Sequence, residues 1–266
     1  MAEHQPNINL ADESILSNGL EKWRISSLPN KAYYIPEFIT EDEEERLLQK
    51  INSVPLPRWT QLSKRRLQTW PCALTKSNTL LAAPLPQWLI SPIIQRFEDF
   101  GIFSDSPHQA PNHVLINEYQ PGQGIMPHED GAAYHPIVAT VSLSTPIILD
   151  VMGKNGADES RLQEQEDENG GLSESTKAAS RYRILQEPRS LLVTTEALYT
   201  DHLHGIADRV RDEDLSARTI CNWDLLGDAK AFEVGGYDRE TRVSLTYRDV
   251  LKVSKLGNSM KFLGAR

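Results

Sequence analysis

The sequence predicts a mainly β fold with flanking helices, of the sandwich, jelly-roll or barrel kind. Three observations predict it. From residue 112 onward the chain breaks into short apolar runs: 113–119 (HVLINEY), 137–143 (IVATVSL), 147–151 (IILDV), 182–186 (YRILQ), 190–194 (SLLVT) and 241–248 (TRVSLTYR). Turn signals separate them at Pro121-Gly122, Ser144-Thr145-Pro146 and Glu187-Pro188. The 266 residues suit one β-rich domain with additions better than two domains.

Taken in order, residues 1–30 are mixed and polar and read as a flexible N-terminal arm, ahead of a single domain over 31–266. Residues 32–39 (AYYIPEFI) read as a short strand broken by Pro36. Thr40 with Glu43 three residues on is a capping box, and the acids after Thr40 suit the positive end of a helix dipole. Leu47, Leu48 and Ile51 give that helix its apolar face, and Pro55 and Pro57 end it. A second helix is expected over 86–100, with Trp88, Ile93 and Phe97 turned inward. Residues 153–180 carry seven acids against three bases, with Leu162 and Leu172 their only large apolar residues. Such a segment cannot bury enough surface to order itself, so an acidic, disordered insertion is expected between two strands.

Composition excludes several classes. Hydrophobic residues make up 39% and charged residues 24%, which supports a packed core rather than global disorder. Lys and Arg number 28 against 37 Asp and Glu, a net charge of −9, so a nucleic-acid ligand requires a local basic patch. Arg58 to Trp70 (RWTQLSKRRLQTW) is one: Lys64, Arg65 and Arg66 lie between Trp59 and Trp70. Phosphate neutralisation and base stacking use such residues; the plainer reading is a surface hairpin with packed tryptophans. Two cysteines, Cys72 and Cys221, make no disulfide scaffold and no zinc site alone, and a reducing, intracellular compartment is expected. No secretory leader and no apolar run of about 18 residues is visible, so no membrane association is expected.

Four polar patterns interrupt the strand region. His128-Glu129-Asp130 places an imidazole and a carboxylate on one face of an extended segment, two legs of a metal site. By itself the pattern recurs by chance. A later histidine, His202 or His204, could complete a 2-His-1-carboxylate triad, which leaves coordination positions open and suits non-haem Fe(II); the residues alone do not choose between the two, although Gly205 lets a backbone approach a metal closely. Arg242, Ser244, Thr246 and Arg248 share one face of a strand, with Val243, Leu245 and Tyr247 on the other. Two arginines inside a β structure are costly unless anions meet them, as a dicarboxylate would. The plainer reading is a solvated edge strand. Asn117 and Tyr119 alternate in the same way and can both donate to a carboxylate.

In combination these pieces resemble the AlkB family of Fe(II)- and 2-oxoglutarate-dependent dioxygenases, in particular its AlkB homologue 6 subfamily. The resemblance rests on residues 117–122 (NEYQPG), 125–131 (IMPHEDG), 203–206 (LHGI) and 242–246 (RVSLT), supported by 59–63 (WTQLS) and 187–192 (EPRSLL), and spans roughly residues 32–252. It implies a double-stranded β-helix, a jelly roll with helices on one side. It implies that His128, Asp130 and His204 bind iron, which decides against His202. Arg242 with Tyr119 would hold the distal carboxylate of 2-oxoglutarate, and Arg248 with Asn117 the carboxylate beside the keto group. Ser244 stands where the bacterial repair enzyme has Asn, which shortens or loses one contact to the distal carboxylate. Residues 58–80 fall where the family places its nucleotide-recognition lid, with Trp59, Lys64, Arg65, Arg66 and Trp70 as nucleic-acid contacts.

The implied activity is oxidative N-demethylation of an alkylated RNA or DNA base, with O2 and 2-oxoglutarate as cosubstrates and succinate, CO2 and formaldehyde as products. No residue beyond the metal centre is implied in acid–base work. One departure bears on substrate: where the bacterial enzyme has an acid that contacts the base, this chain has Ala132. A hydroxylase or demethylase of protein side chains and a non-catalytic reader of methylated nucleic acid are the competing readings; a zinc hydrolase would leave Arg242 and Arg248 without an anion. The chain is expected to act as a monomer in cytoplasm and nucleus.

Overall fold

A computed structural model of the protein describes residues 19–154 and 181–254. Its strands in the first half are β1 (Ala32–Ile35), β2 (Thr60–Leu62), β3 (Arg65–Trp70), β4 (Leu80–Leu81), β5 (His113–Tyr119), β6 (Ile125–His128), β7 (Tyr134–Leu143) and β8 (Ile147–Gly153). The second half adds β9 (Arg181–Gln186), β10 (Leu191–Thr195), β11 (His202–Ile206), β12 (Arg211–Glu213), β13 (Gly236–Asp238), β14 (Arg242–Val250) and β15 (Val253–Ser254). A seven-stranded sheet runs β1-β10-β7-β14-β5-β3-β2, and a four-stranded sheet runs β6-β11-β8-β9. All pairings within these two sheets are antiparallel. This is the jelly-roll layout of two facing sheets.

One face of the large sheet carries the helices α1 (Glu41–Ser53), α2 (Gln87–Ile90) and α3 (Ile93–Asp99). Leu47, Ile51, Leu89, Ile93 and Phe97 pack there against Val114, Ile116, Val141, Leu245 and Tyr247. The Phe97 and Tyr247 rings meet edge to face at 5.1 Å. The capping box at Thr40 and Glu43 is formed in both directions. The helix expected over 86–100 is instead two pieces, because Pro92 cannot donate a helical amide hydrogen bond.

One other expectation changes. Of the arm assigned to 1–30, residues 25 and 28 are core: Ile25 is 1% and Leu28 4% exposed, and Arg24 bridges to Tyr33. Two apolar side chains three residues apart suffice to tie that end down. Strands β6 (IMPH) and β11 (HLHGI) are too short to show a period of their own, and Pro127 and Gly205 interrupt them. The remainder of the arm, residues 1–18, and the acidic insertion beyond Lys154 lie outside the described residues. Among the described residues no helix is long and apolar enough to cross a membrane.

Candidate metal and anion site

The pocket between the two sheets draws its walls from both. On the small sheet, His204 of β11 stands directly opposite His128 of β6, with ring centroids 4.4 Å apart. Gly205 makes this approach possible: a Cβ there would lie 2.9 Å from the Pro127 nitrogen and 3.0 Å from the Ile125 carbonyl oxygen. Asp130 follows β6, and the Tyr199 hydroxyl donates to the Gly131 carbonyl at 2.7 Å, pinning that loop. One potential ligand atom from each of His128, Asp130 and His204 lies within 4.8 Å of the others. His128 Nδ1 sits 2.9 Å from the Met126 carbonyl, which can only accept, so Nδ1 is the donor and Nε2 is the nitrogen left for a metal. Burial is the main cause that pushes His204 down to about 4; Asp130 opposes it, and His128 and Arg248 add to it. His204 is therefore a neutral donor at pH 7. His202 points elsewhere, its Nδ1 donating to the Ala197 carbonyl at 3.0 Å.

The large sheet supplies the charge. Register sets Arg242 opposite Tyr119 and Ser244 opposite Asn117, and these four line the pocket with Thr246 and Arg248. Arg242 is 2% exposed; its Nη2 donates to Ser142 Oγ at 2.7 Å and Gln186 Oε1 at 3.2 Å, while its Nε has no partner. Burial lowers its pKa to about 10. The Arg248 Nε is likewise unpartnered, its guanidinium lies 4.8 Å from the Tyr134 ring centroid, and its Nη2 forms an ion pair with Asp130. Burial raises the Tyr119 phenol, so it stays a neutral hydrogen-bond donor.

These residues fit the groups implied by the sequence. Two imidazoles and one carboxylate suit a divalent first-row metal with open positions. Two buried guanidinium groups with unpartnered Nε–H donors, beside a single pocket carboxylate, suit a small dianion. Sequence reasoning gave Arg65 to the nucleic-acid surface rather than to this pocket, and it missed Tyr199, Gln186 and Ser142. A polar residue facing inward from a mostly apolar strand was the available signal for the last two.

The expected nucleic-acid residues are distributed differently. Arg65 turns inward, lines the pocket and donates from Nε to Asn117 Oδ1 at 3.1 Å. Arg66, on the opposite face, grips Glu118 with two bonds of 2.7 Å and stacks 4.1 Å from the Trp59 ring centroid. Trp70 lies under Arg58 and meets Trp88 edge to face at 5.6 Å. One side of each tryptophan is thus occupied and both pack on the core, which leaves at most one face of each ring for a base. Lys64 is exposed and paired with Asp208 at 3.1 Å.

No family model matches the chain. Over 235 residues it is 39% identical to "Probable RNA/DNA demethylase ALKBH6" of Danio rerio, a match that covers 88% of this chain and 92% of that one. An uncharacterised protein of Acanthamoeba polyphaga mimivirus is 28% identical over 82% of this chain and 84% of its own. The solved structure of an oxidoreductase of the 2OG-Fe(II) oxygenase family from Burkholderia pseudomallei is 12% identical, with a TM-score of 0.48, covering 96% of this chain and 100% of that one.

Proposed function

This chain belongs to the AlkB homologue 6 subfamily of AlkB-like Fe(II)- and 2-oxoglutarate-dependent dioxygenases, and on that premise we propose that it oxidatively removes N-methyl groups from RNA or DNA bases. The observation that carries the reading is the pairing of the His128–Asp130–His204 cluster on one sheet with Arg242 and Arg248 on the other, across one pocket. The similarity to a relative described as an RNA/DNA demethylase supports the substrate class.

In this reading His128, Asp130 and His204 hold Fe(II), which supplies O2 activation coupled to oxidative decarboxylation of 2-oxoglutarate to succinate and CO2. Arg242 receives the distal carboxylate, with Tyr119 donating beside it. Arg248 and Asn117 serve the carboxylate next to the keto group. Ser142 and Gln186 fix the Arg242 fork from behind, so little side-chain freedom is lost on binding. The apolar wall of Leu149, Val151 and Leu192 keeps bulk water from the same volume. Lys64 and Arg66, on the β2–β3 hairpin, would meet phosphates of the substrate.

The test is turnover with Fe(II), 2-oxoglutarate and a panel of methylated oligonucleotides, measuring succinate and formaldehyde together. Equal amounts of both are expected on at least one methylated strand. Succinate without formaldehyde on every strand overturns the nucleic-acid substrate and favours a protein side chain. Binding of methylated strands with no turnover, iron present, favours a reader.

A further inference from the structure

We propose that Arg65 is a positioning residue: it sets the amide orientation of Asn117 and thereby links the β2–β3 hairpin to cosubstrate binding. The inference rests on the reading above, in which Asn117 serves a 2-oxoglutarate carboxylate.

An asparagine amide can present either its oxygen or its NH2 to a neighbour, and the two orientations differ by a flip. An anion is met only by the NH2. The Arg65 Nε–H, at 3.1 Å from Oδ1, accepts no alternative: a guanidinium has donors only, so it holds the oxygen on its own side. The NH2 is then left toward the pocket, and among the described residues Nδ2 makes no hydrogen bond to the protein. Asn117 is 7% exposed, so water competes weakly for this arrangement.

The placement of Arg65 follows from its strand. Leu67 pairs with Asn117 across β3–β5, and Arg65 lies two residues before Leu67 on the same face. Arg66 faces the other way to Glu118. Arg65 itself pairs only with Leu62 of β2, beyond the last residue that β5 holds. Its side chain is therefore attached to the pocket while its backbone belongs to the hairpin tip. A strand of nucleic acid that drew Lys64 and the tip outward would release Oδ1 and free the amide to turn. By linkage, cosubstrate binding and hairpin position must then affect each other reciprocally.

The experiment is calorimetric titration of 2-oxoglutarate, without oxygen, into the full chain loaded with Fe(II). The proteins compared are wild type, Arg65→Met, Arg65→Lys, Asn117→Ala and Arg65→Met/Asn117→Ala, with melting curves for each. Arg65→Met is expected to weaken binding about tenfold. Arg65→Lys should recover part of that loss, since an ammonium also donates. In the Asn117→Ala background Arg65→Met should add nothing, because the amide through which it acts is gone. Losses that multiply in the double variant would mean that Arg65 meets the cosubstrate directly, and the inference fails. Unchanged affinity in Arg65→Met with impaired Asn117→Ala overturns it while sparing the proposed function. If wild type itself binds no 2-oxoglutarate, the proposed function falls and takes this inference with it.

Discussion

Arg248 and Asp130 form an ion pair on the floor of the pocket, although Asp130 also faces His204 at 3.8 Å. The same carboxylate thus answers to a guanidinium from the large sheet and to the cluster on the small one. Arg248→Met should leave that carboxylate buried and uncompensated, at a cost of about 3 kcal/mol in the metal-free protein. Added Fe(II) should restore much of the loss, because a cation replaces the missing charge. Melting curves with and without metal check this; an equal loss in both would refute it.

His128→Ala and Asp130→Ala are expected to abolish Fe(II) binding and keep the fold. His202→Ala removes only a bond to the Ala197 carbonyl and should bind iron like the parent. Equilibrium dialysis gives the ranking, and an iron loss in His202→Ala as large as in His204→Ala would mean the third ligand is wrongly placed.

Gly205→Ala would press a methyl onto the backbone of Pro127 and Ile125. Neither backbone atom can rotate away, so β6 must shift and carry His128 from His204. Iron affinity should fall roughly 10–100-fold with far-ultraviolet circular dichroism almost unchanged.

The pH dependence should carry a signature from His113, whose ring is 2% exposed with both nitrogens unpartnered. Burial, and then the charge of Arg248, lower its pKa to about 4. The unfolded chain, near pH 6.5, takes up that proton first, so it binds more protons than the native state in between. Stability should therefore fall as pH drops from about 6.5 to 4, with at most about 3 kcal/mol from this residue. His113→Phe should flatten the slope in that window when urea midpoints are compared.

Asp208 holds Lys64 in an exposed pair. Asp208→Asn should free the ammonium and tighten oligonucleotide binding by roughly two- to fivefold at low salt. Neutralising Lys64 and Arg66 together should weaken binding and reduce the log–log salt slope by about 0.7–0.9 per lost phosphate contact. An unchanged slope would remove the hairpin from the nucleic-acid surface.

Much of the pocket was legible in the chain because strand period is rigid: once 242–248 is a strand, Arg242, Ser244, Thr246 and Arg248 must share a face, and they do. The capping box at Thr40 was equally local. What was not legible depends on long-range pairing. Apart from the family resemblance, residues 202–204 offered two histidines, and in the structure the cross-strand partner His128 singles out His204. Lys64-Arg65-Arg66 read as one basic surface, yet their three partners, Asp208, Asn117 and Glu118, are remote in sequence. Strands β6 and β11 escaped notice because four and five residues, interrupted by Pro127 and Gly205, are too few to show a period.

The cluster hangs from the four-stranded sheet, and the pocket arginines Arg65, Arg242 and Arg248 hang from the seven-stranded one. A keto acid seated on both would act as a rivet through two leaves. Loss of CO2 would shorten that rivet by one carbon while leaving a carboxylate at each end. The leaves that seat the keto acid would therefore also grip the succinate it leaves behind, and release of the product would require both of them to let go.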